Sequence, residues 1–155
     1  MGCTPIHRHS YRRDKLSVIG CLTVSPARKR LALYVRFHTK NVTGTEIIGF
    51  LGHLLRHLRG PVVLVWDRGQ IHKRQDVKAF LHRHKGRLHV YPFPAYAPEL
   101  NPAEQVWTHG KRDLSNSSHE ELGTLRPHLR RSFGRIQNSQ QLLRSCIEHS
   151  ELPWP

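Results

Sequence analysis

Two stretches decide the fold of this chain. Residues 62–72 read Val-Val-Leu-Val-Trp-Asp-Arg-Gly-Gln-Ile-His, and residues 96–107 read Tyr-Ala-Pro-Glu-Leu-Asn-Pro-Ala-Glu-Gln-Val-Trp. The five apolar residues that open the first stretch are typical of a strand buried on both faces. Asp67 follows that strand directly, and ligands usually bind at the carboxyl ends of buried strands in α/β sheets. In the second stretch, Asn101 is a good N-cap and Pro102 suits the first helical position, so a helix begins there.

The sequence around these stretches alternates between strand and helix patterns. Residues 16–24 and 31–38 are rich in β-branched and aromatic residues and predict an antiparallel hairpin. Thr43-Gly-Thr-Glu46 has the form of a capping box, which predicts a helix that ends before Gly60. A weaker helix and a short strand follow, and the chain then reads as helical, with Pro127 expected to kink or split one helix. We therefore predict a single α/β domain with a loop over residues 1–15, a sheet core over 16–93 and a helical part over 101–155.

The composition points to a polyanion as the partner. The 155 residues carry 25 Lys and Arg against 11 Asp and Glu, which gives a formal net charge of +14. Basic residues cluster within 68–89 and 126–135, and a nucleic acid explains this better than a merely solvated surface does. The longest apolar run is five residues, far short of the roughly 20 that a membrane span needs. Three widely spaced cysteines indicate neither a disulfide framework nor a zinc site, so we predict a reducing, cytoplasmic location.

Two carboxylates have both a structural and a chemical interpretation. Asp67 could cap the turn Asp-Arg-Gly-Gln by accepting backbone hydrogen bonds, which is a common role for aspartate. Glu104 stands where the glutamate of a capping box belongs, three residues after Asn101, and spacing alone favours that role. A cation could instead compensate the Asp67 carboxylate, which is costly to bury beside Trp66.

The two stretches together resemble the DDE-type transposases of bacterial insertion sequences, in the mariner-related superfamily. In that family a strand ends in the second catalytic aspartate, and the third acid lies in a Pro-x-Leu-Asn-Pro-x-Glu-x-x-Trp segment like residues 98–107 here. Asp67 and Glu104 are 37 positions apart, close to the separation usual in the family. The resemblance implies a ribonuclease H-like mixed sheet flanked by helices, with Asp67 and Glu104 as metal-binding catalytic acids.

The same resemblance implies the chemistry and the partners. Two Mg²⁺ or Mn²⁺ ions would neutralise the opposed carboxylates and promote in-line displacement at phosphorus. The partners would be the DNA of the element ends and the target, in the bacterial nucleoid, with a homo-oligomer as the active form. Basic and histidine side chains near the two acids are the expected nucleic-acid contacts, namely Arg68, His72, Lys73, Arg74, Lys111 and Arg112.

One part of the family pattern has no counterpart among these residues. The first catalytic aspartate belongs on a strand before the hairpin, yet no acid precedes Asp14, which stands among cations as a surface ion partner would. We therefore expect the first strand to be missing, and an upstream segment or a partner chain to supply the third acid. The alternative function is that of a truncated, inactive transposase remnant that only binds nucleic acid.

Overall fold

The computed structural model describes residues 16–26, 30–115 and 122–151, which form four strands and five α-helices. In chain order they are β1 (Ser17–Ser25), β2 (Arg30–His38), α1 (Gly44–His57), β3 (Val62–Trp66), α2 (Gln75–Arg83), β4 (Leu88–Pro92), α3 (Pro102–Ser115), α4 (Leu122–Gln137) and α5 (Gln140–Glu148). Short 3₁₀ turns lie at Gln70–Lys73 and Pro98–Leu100. No helix among these residues is long and apolar enough to cross a membrane.

The strands form two separate pairs. β1 and β2 are antiparallel, with Ser17 opposite His38 and Ser25 opposite Arg30, which confirms the predicted hairpin. β3 and β4 are parallel, with Val62 opposite Leu88. Within the described ranges no ladder joins the two pairs, so each of the four strands, β1 and β3 included, has one edge without a partner strand there.

The helices form two groups, and the β1–β2 pair lies between them, because Ile19, Cys21 and Tyr34 contact the α1–α2 cluster while Leu31 and Leu33 belong to the other cluster. Helices α1 and α2 bury their apolar faces against the inward side of β3, where Leu64 and Trp66 contact the cluster. Helices α3, α4 and α5 pack on β2 through Leu31 and Leu33, around a centre that includes the fully buried Leu143. The carboxyl end of β3 is therefore supported by the α1–α2 cluster, and the start of α3 is supported by the α3–α5 cluster.

The prediction that β3 is buried on both faces is wrong. Val63 keeps 66% of its surface exposed and Val65 keeps 44%, whereas the alternate residues of the strand face the α1–α2 layer. The reason is tertiary: the second helical group covers the β1–β2 pair and leaves this face of β3 open among the described residues. A run of apolar residues allows a strand to be buried on both faces, and the elements that pack around the strand decide whether this burial occurs.

The predicted helix signals have different outcomes. The capping box is confirmed, because the Thr43 amide donates to Glu46 Oε2 at 2.7 Å while the Thr43 side chain caps the first turn of α1. α4 is not split at Pro127 and continues to Gln137, since its buried residues hold it to α3 and α5. The sequence Ser118-His-Glu-Glu121 predicts the start of this helix, and these residues lie outside the described ranges.

Candidate active site

Asp67 lies directly after β3 and is held in a tight turn. Its Oδ1 accepts a hydrogen bond from the Gly69 amide at 2.8 Å and lies 3.2 Å from His72 Nε2. The predicted turn-capping role is therefore observed. It uses one oxygen only, because Oδ2 receives no hydrogen bond from the part of the chain that the structure describes. The carboxylate is 67% exposed, so this second oxygen is available for a ligand.

The His72 side chain contacts the Asp67 carboxylate and is itself largely buried. Its ring stacks on Trp66 with centroids 4.0 Å apart and planes 20° apart, and only 16% of the side chain is exposed. Burial lowers the pKa of His72, while the neighbouring Asp67 carboxylate acts in the opposite direction. The neutral ring then donates from Nε2 to Asp67, and Nδ1 is left buried without a hydrogen-bond partner among the described residues. His72 thus contacts the acid rather than open solvent.

Glu104 lies in the first turn of α3 with an exposed carboxylate. The capping-box role predicted for it is wrong, because the Asn101 amide donates to the Pro98 carbonyl at 2.9 Å instead of to Glu104. Asn101 itself caps the helix as predicted, since its Oδ1 accepts from the Ala103 amide at 3.1 Å. The glutamate side chain is consequently left without a structural hydrogen bond in the described ranges.

The helix that carries Glu104 is fixed by a close contact to β1. A Cβ placed on Gly20 would lie 2.7 Å from Cη2 of Trp107, so the indole ring packs directly against this strand's backbone. The Trp107 ring also meets Phe133 of α4 edge-to-face, with centroids 5.7 Å apart. Trp107 is one turn from Glu104, so this packing sets where the carboxylate lies. No pattern in the sequence indicates that Gly20 has this role.

Asp67 and Glu104 line the same cavity. The cavity has a volume of about 420 Å³, is open to solvent, and lies between the end of β3, the β4–α3 loop and the start of α3. Its lining residues are Asp67, Arg68, Phe93, Pro94, Ala95, Tyr96, Ala97, Pro98, Asn101 and Glu104. Arg68 also holds the loop in place, because its Nε donates to the Phe93 carbonyl at 2.8 Å. The tertiary structure therefore brings the two predicted acids and one predicted basic residue together.

The other predicted basic contacts lie outside this cavity. Lys73, Arg74, Lys111 and Arg112 are all exposed, and none of them lines it. Arg74 forms an ion pair with Asp76 at 3.1 Å, which reduces its positive charge toward a ligand. Sequence reasoning assigned no role to Tyr96, although this residue opens the second stretch and lines the cavity.

No third carboxylate joins Asp67 and Glu104 within the described ranges. These residues contain no group of three or more His, Cys, Asp or Glu side chains that could hold a metal ion. Asp14, which is predicted to be a surface ion partner, lies outside the described residues.

Comparisons with known proteins place this site in a family. The model of the DDE superfamily endonuclease family matches residues 1–126. The chain belongs to this DDE endonuclease family. The match spans both Asp67 and Glu104 and confirms the family predicted from the two stretches. A comparison with curated protein sequences gave no significant match.

Solved structures show that the DDE endonuclease chain shares its fold with transposase catalytic domains. The catalytic domain of Mos1 mariner transposase superposes with a TM-score of 0.53 at 12% identity, over 90% of this chain and 83% of that chain. The Mos1 catalytic domain with Raltegravir and Mg gives 0.52 at 11% identity, over 90% and 85%. The Mos1 paired-end complex with the left transposon end gives 0.51 at 12%, over 88% and 55%. The predicted ribonuclease H-like α/β fold is thereby confirmed.

Proposed function

We propose that this DDE endonuclease is a transposase catalytic domain that cleaves DNA strands and joins them to new positions. The observation that carries the proposal is that Asp67 and Glu104, 37 positions apart, line one open cavity. Family membership supports attack on a phosphodiester, and the fold shared with Mos1 transposase supports transposition as the setting. A net charge of +14 favours DNA as the substrate, because cationic side chains release counterions from its phosphates.

The donor atoms of the cavity fit a hard divalent cation. Asp67 Oδ2 and the Glu104 carboxylate are oxygen donors without competing partners in the described structure. Mg²⁺ prefers oxygen ligands and is typically bound by one or two carboxylates together with waters and substrate phosphates. We propose Asp67 and Glu104 as the protein ligands of Mg²⁺ or Mn²⁺, with two ions in the complete site. Such ions, when bound, supply the charge neutralisation that displacement at phosphorus requires.

The surrounding residues of this chain orient the two acids and the substrate. The Gly69 amide and His72 hold Asp67 Oδ1, so the aspartate offers Oδ2 in a fixed position. Because the His72 side chain is only 16% exposed, its proposed nucleic-acid role is exerted through Asp67. Arg68 lines the cavity and would attract a phosphate to it. We propose the exposed Lys73, Arg74, Lys111 and Arg112 as contacts for DNA that extends beyond the cavity.

A third carboxylate is proposed to come from outside the described residues. The unpaired edges of β1 and β3 could each accept an additional strand. We propose that a segment of transposase or a partner chain supplies such a strand with the missing acid, in a homo-oligomer assembled on DNA ends. That the element is a bacterial insertion sequence, and that it acts in the nucleoid, are proposals that rest on the sequence resemblance.

Plasmid nicking by the purified chain in Mg²⁺ or Mn²⁺ tests this function. We compare the wild type with Asp67→Asn and Glu104→Gln, each of which removes one negative charge with almost no change in shape. Glu99→Gln is the matched control, because Glu99 is an exposed acid of the same loop and does not line the cavity. Where a partner copy in the homo-oligomer supplies the third acid, we expect nicking by the wild type and Glu99→Gln, none by the two site variants, and none in EDTA.

Two further measurements complete the test. DNA binding, followed by fluorescence anisotropy in EDTA, should be retained in Asp67→Asn and Glu104→Gln, because neither acid attracts phosphate. Mn²⁺ binding, followed by electron paramagnetic resonance, should weaken in both. A wild-type chain that binds DNA and never nicks it, even in Mn²⁺, would contradict the proposal for this chain on its own. Nicking that persists in both site variants would contradict the assignment of the acids.

A further inference from the structure

Tyr96 combines two unfavourable features at the edge of the cavity. Its φ of 59° lies in the left-handed region, and no other non-glycine residue with described backbone has a positive φ. Its side chain is also completely exposed, at 101% of the reference surface. Strained backbone that persists in a folded protein concentrates at functional sites, because the surrounding structure must hold it in place.

The loop around Tyr96 is anchored, so the exposed ring has a defined position. Phe93 is buried, its amide donates to the Trp66 carbonyl at 2.8 Å, and its carbonyl accepts from Arg68. On the other side, the 3₁₀ turn Pro98–Leu100 leads directly into the capped start of α3. Tyr96 therefore stands between two fixed points, one attached to the Asp67 turn and the other to the Glu104 helix.

The ring lines the same cavity as the two acids and Arg68. A flat aromatic face surrounded by solvent is a platform for another flat group, and nucleobases stack on tyrosine irrespective of their sequence. A base inside a duplex has both faces covered by its neighbours, so only a base at a strand end or one displaced from the stack can use this platform. A blunt end offers only the outer face of a base pair, whereas an unpaired nucleotide can turn its base onto the ring without breaking a pair, so we take an unpaired nucleotide as the ligand.

We propose that Tyr96 stacks on an unpaired base of the DNA strand whose phosphate enters the cavity. This proposal rests on the proposed nuclease function, and it assigns Tyr96 to the recognition of strand ends. The stacked base would fix the nucleotide next to the reacting phosphate, while the acids themselves make no contact with the base. Tyr96 is thus a positioning residue for the substrate.

Binding in EDTA tests the proposal without any need for catalysis. A labelled duplex with a short single-stranded 3′ overhang is compared with the blunt duplex of the same sequence, by fluorescence anisotropy. We expect wild type to prefer the overhang, and Tyr96→Ala to lose about tenfold in affinity for the overhang alone, the size expected when one stacked base is lost. Tyr96→Phe and Tyr96→Trp should keep the preference, since both retain a ring.

Tyr91→Ala is the matched control, because Tyr91 is another exposed tyrosine, at 57%, that does not line the cavity. It should bind both duplexes as wild type does. The proposal would be overturned if Tyr96→Ala bound the overhang duplex as tightly as wild type does. It would also be overturned if Tyr91→Ala or Tyr96→Phe lost as much affinity for the overhang duplex as Tyr96→Ala. The proposal would likewise be overturned if Tyr96→Ala changed the oligomeric state and left the preference for the overhang duplex unchanged. Failure of nicking in the wild type bears on the nuclease function alone, because this assay contains no metal.

Discussion

Gly20→Ala should destabilise the protein, although alanine is generally the better residue in a folded chain. The added methyl carbon would lie 2.7 Å from Trp107 Cη2 and 3.2 Å from Cζ2, well inside ordinary van der Waals contact. Phe133 also packs against the Trp107 ring, which limits how far the indole can move away from an added methyl group. Overpacking a filled core costs about 1–3 kcal/mol, which exceeds the roughly 0.4–1 kcal/mol gained by reducing the entropy of the unfolded chain.

The assay is urea denaturation followed by circular dichroism, with Gly134→Ala as the matched control. Gly134 lies inside α4, and a Cβ there would meet no atom within 4 Å. The control should gain about 0.5–1 kcal/mol, since glycine disfavours helix interiors. Gly20→Ala should lose about 1–2 kcal/mol, which lowers the melting temperature by roughly 2–4 °C per kcal/mol in a chain of this size.

A double-mutant cycle isolates the contact. Trp107→Leu removes the ring that a methyl group at Gly20 would strike, so the two changes together should cost less than the sum of their separate effects. Gly20→Ala should also reduce nicking, because Trp107 lies one helical turn from Glu104. If Gly20→Ala were as stable as the wild type and its effect added independently to that of Trp107→Leu, the proposed contact between β1 and α3 would be refuted.

Three further predictions concern stability and reactivity elsewhere in the chain. Hydrogen bonds from the Ser132 hydroxyl and Arg135 hold the pKa of Asp113 below its usual range. The ionised carboxylate therefore stabilises the fold above a pH of about 4, and this contribution is lost on further acidification. Asp113→Asn should lower the free energy of unfolding at pH 7 by about 1 kcal/mol and flatten its acid dependence; equal acid profiles for variant and wild type would contradict this. Burial raises the pKa of the Cys21 thiol to about 11. In the Cys3→Ser variant, Cys21 should therefore react with iodoacetamide at pH 8 only after unfolding, and a urea-treated sample is the control. Thr43→Ala should cost about 0.5–2 kcal/mol in thermal denaturation by removing the cap of α1, whereas Thr45→Ala, an exposed position in the first turn of the same helix, should be nearly neutral.

Local sequence determined most of the secondary structure. The hairpin follows from two β-branched runs, and the start of α1 follows from a capping box whose hydrogen bonds are all made within four residues. The family could also be predicted, because its signature combines short-range spacing around Asp67 with a characteristic segment before Glu104. These features depend on residues close together in the chain, so they can be inferred without knowledge of the packing.

Tertiary structure decided the features that depend on distant residues. The apolar sequence of β3 predicted burial on both faces, yet Val63 is exposed because the helices that would cover it pack on another pair of strands. Spacing made Glu104 a capping residue, whereas the Pro98 carbonyl takes the amide that it would have bound. Its carboxylate is thereby free to line a cavity with Asp67. The chain dictates which side chains can do chemistry, and long-range packing decides which of them meet, because free energy is gained only where surfaces actually come into contact.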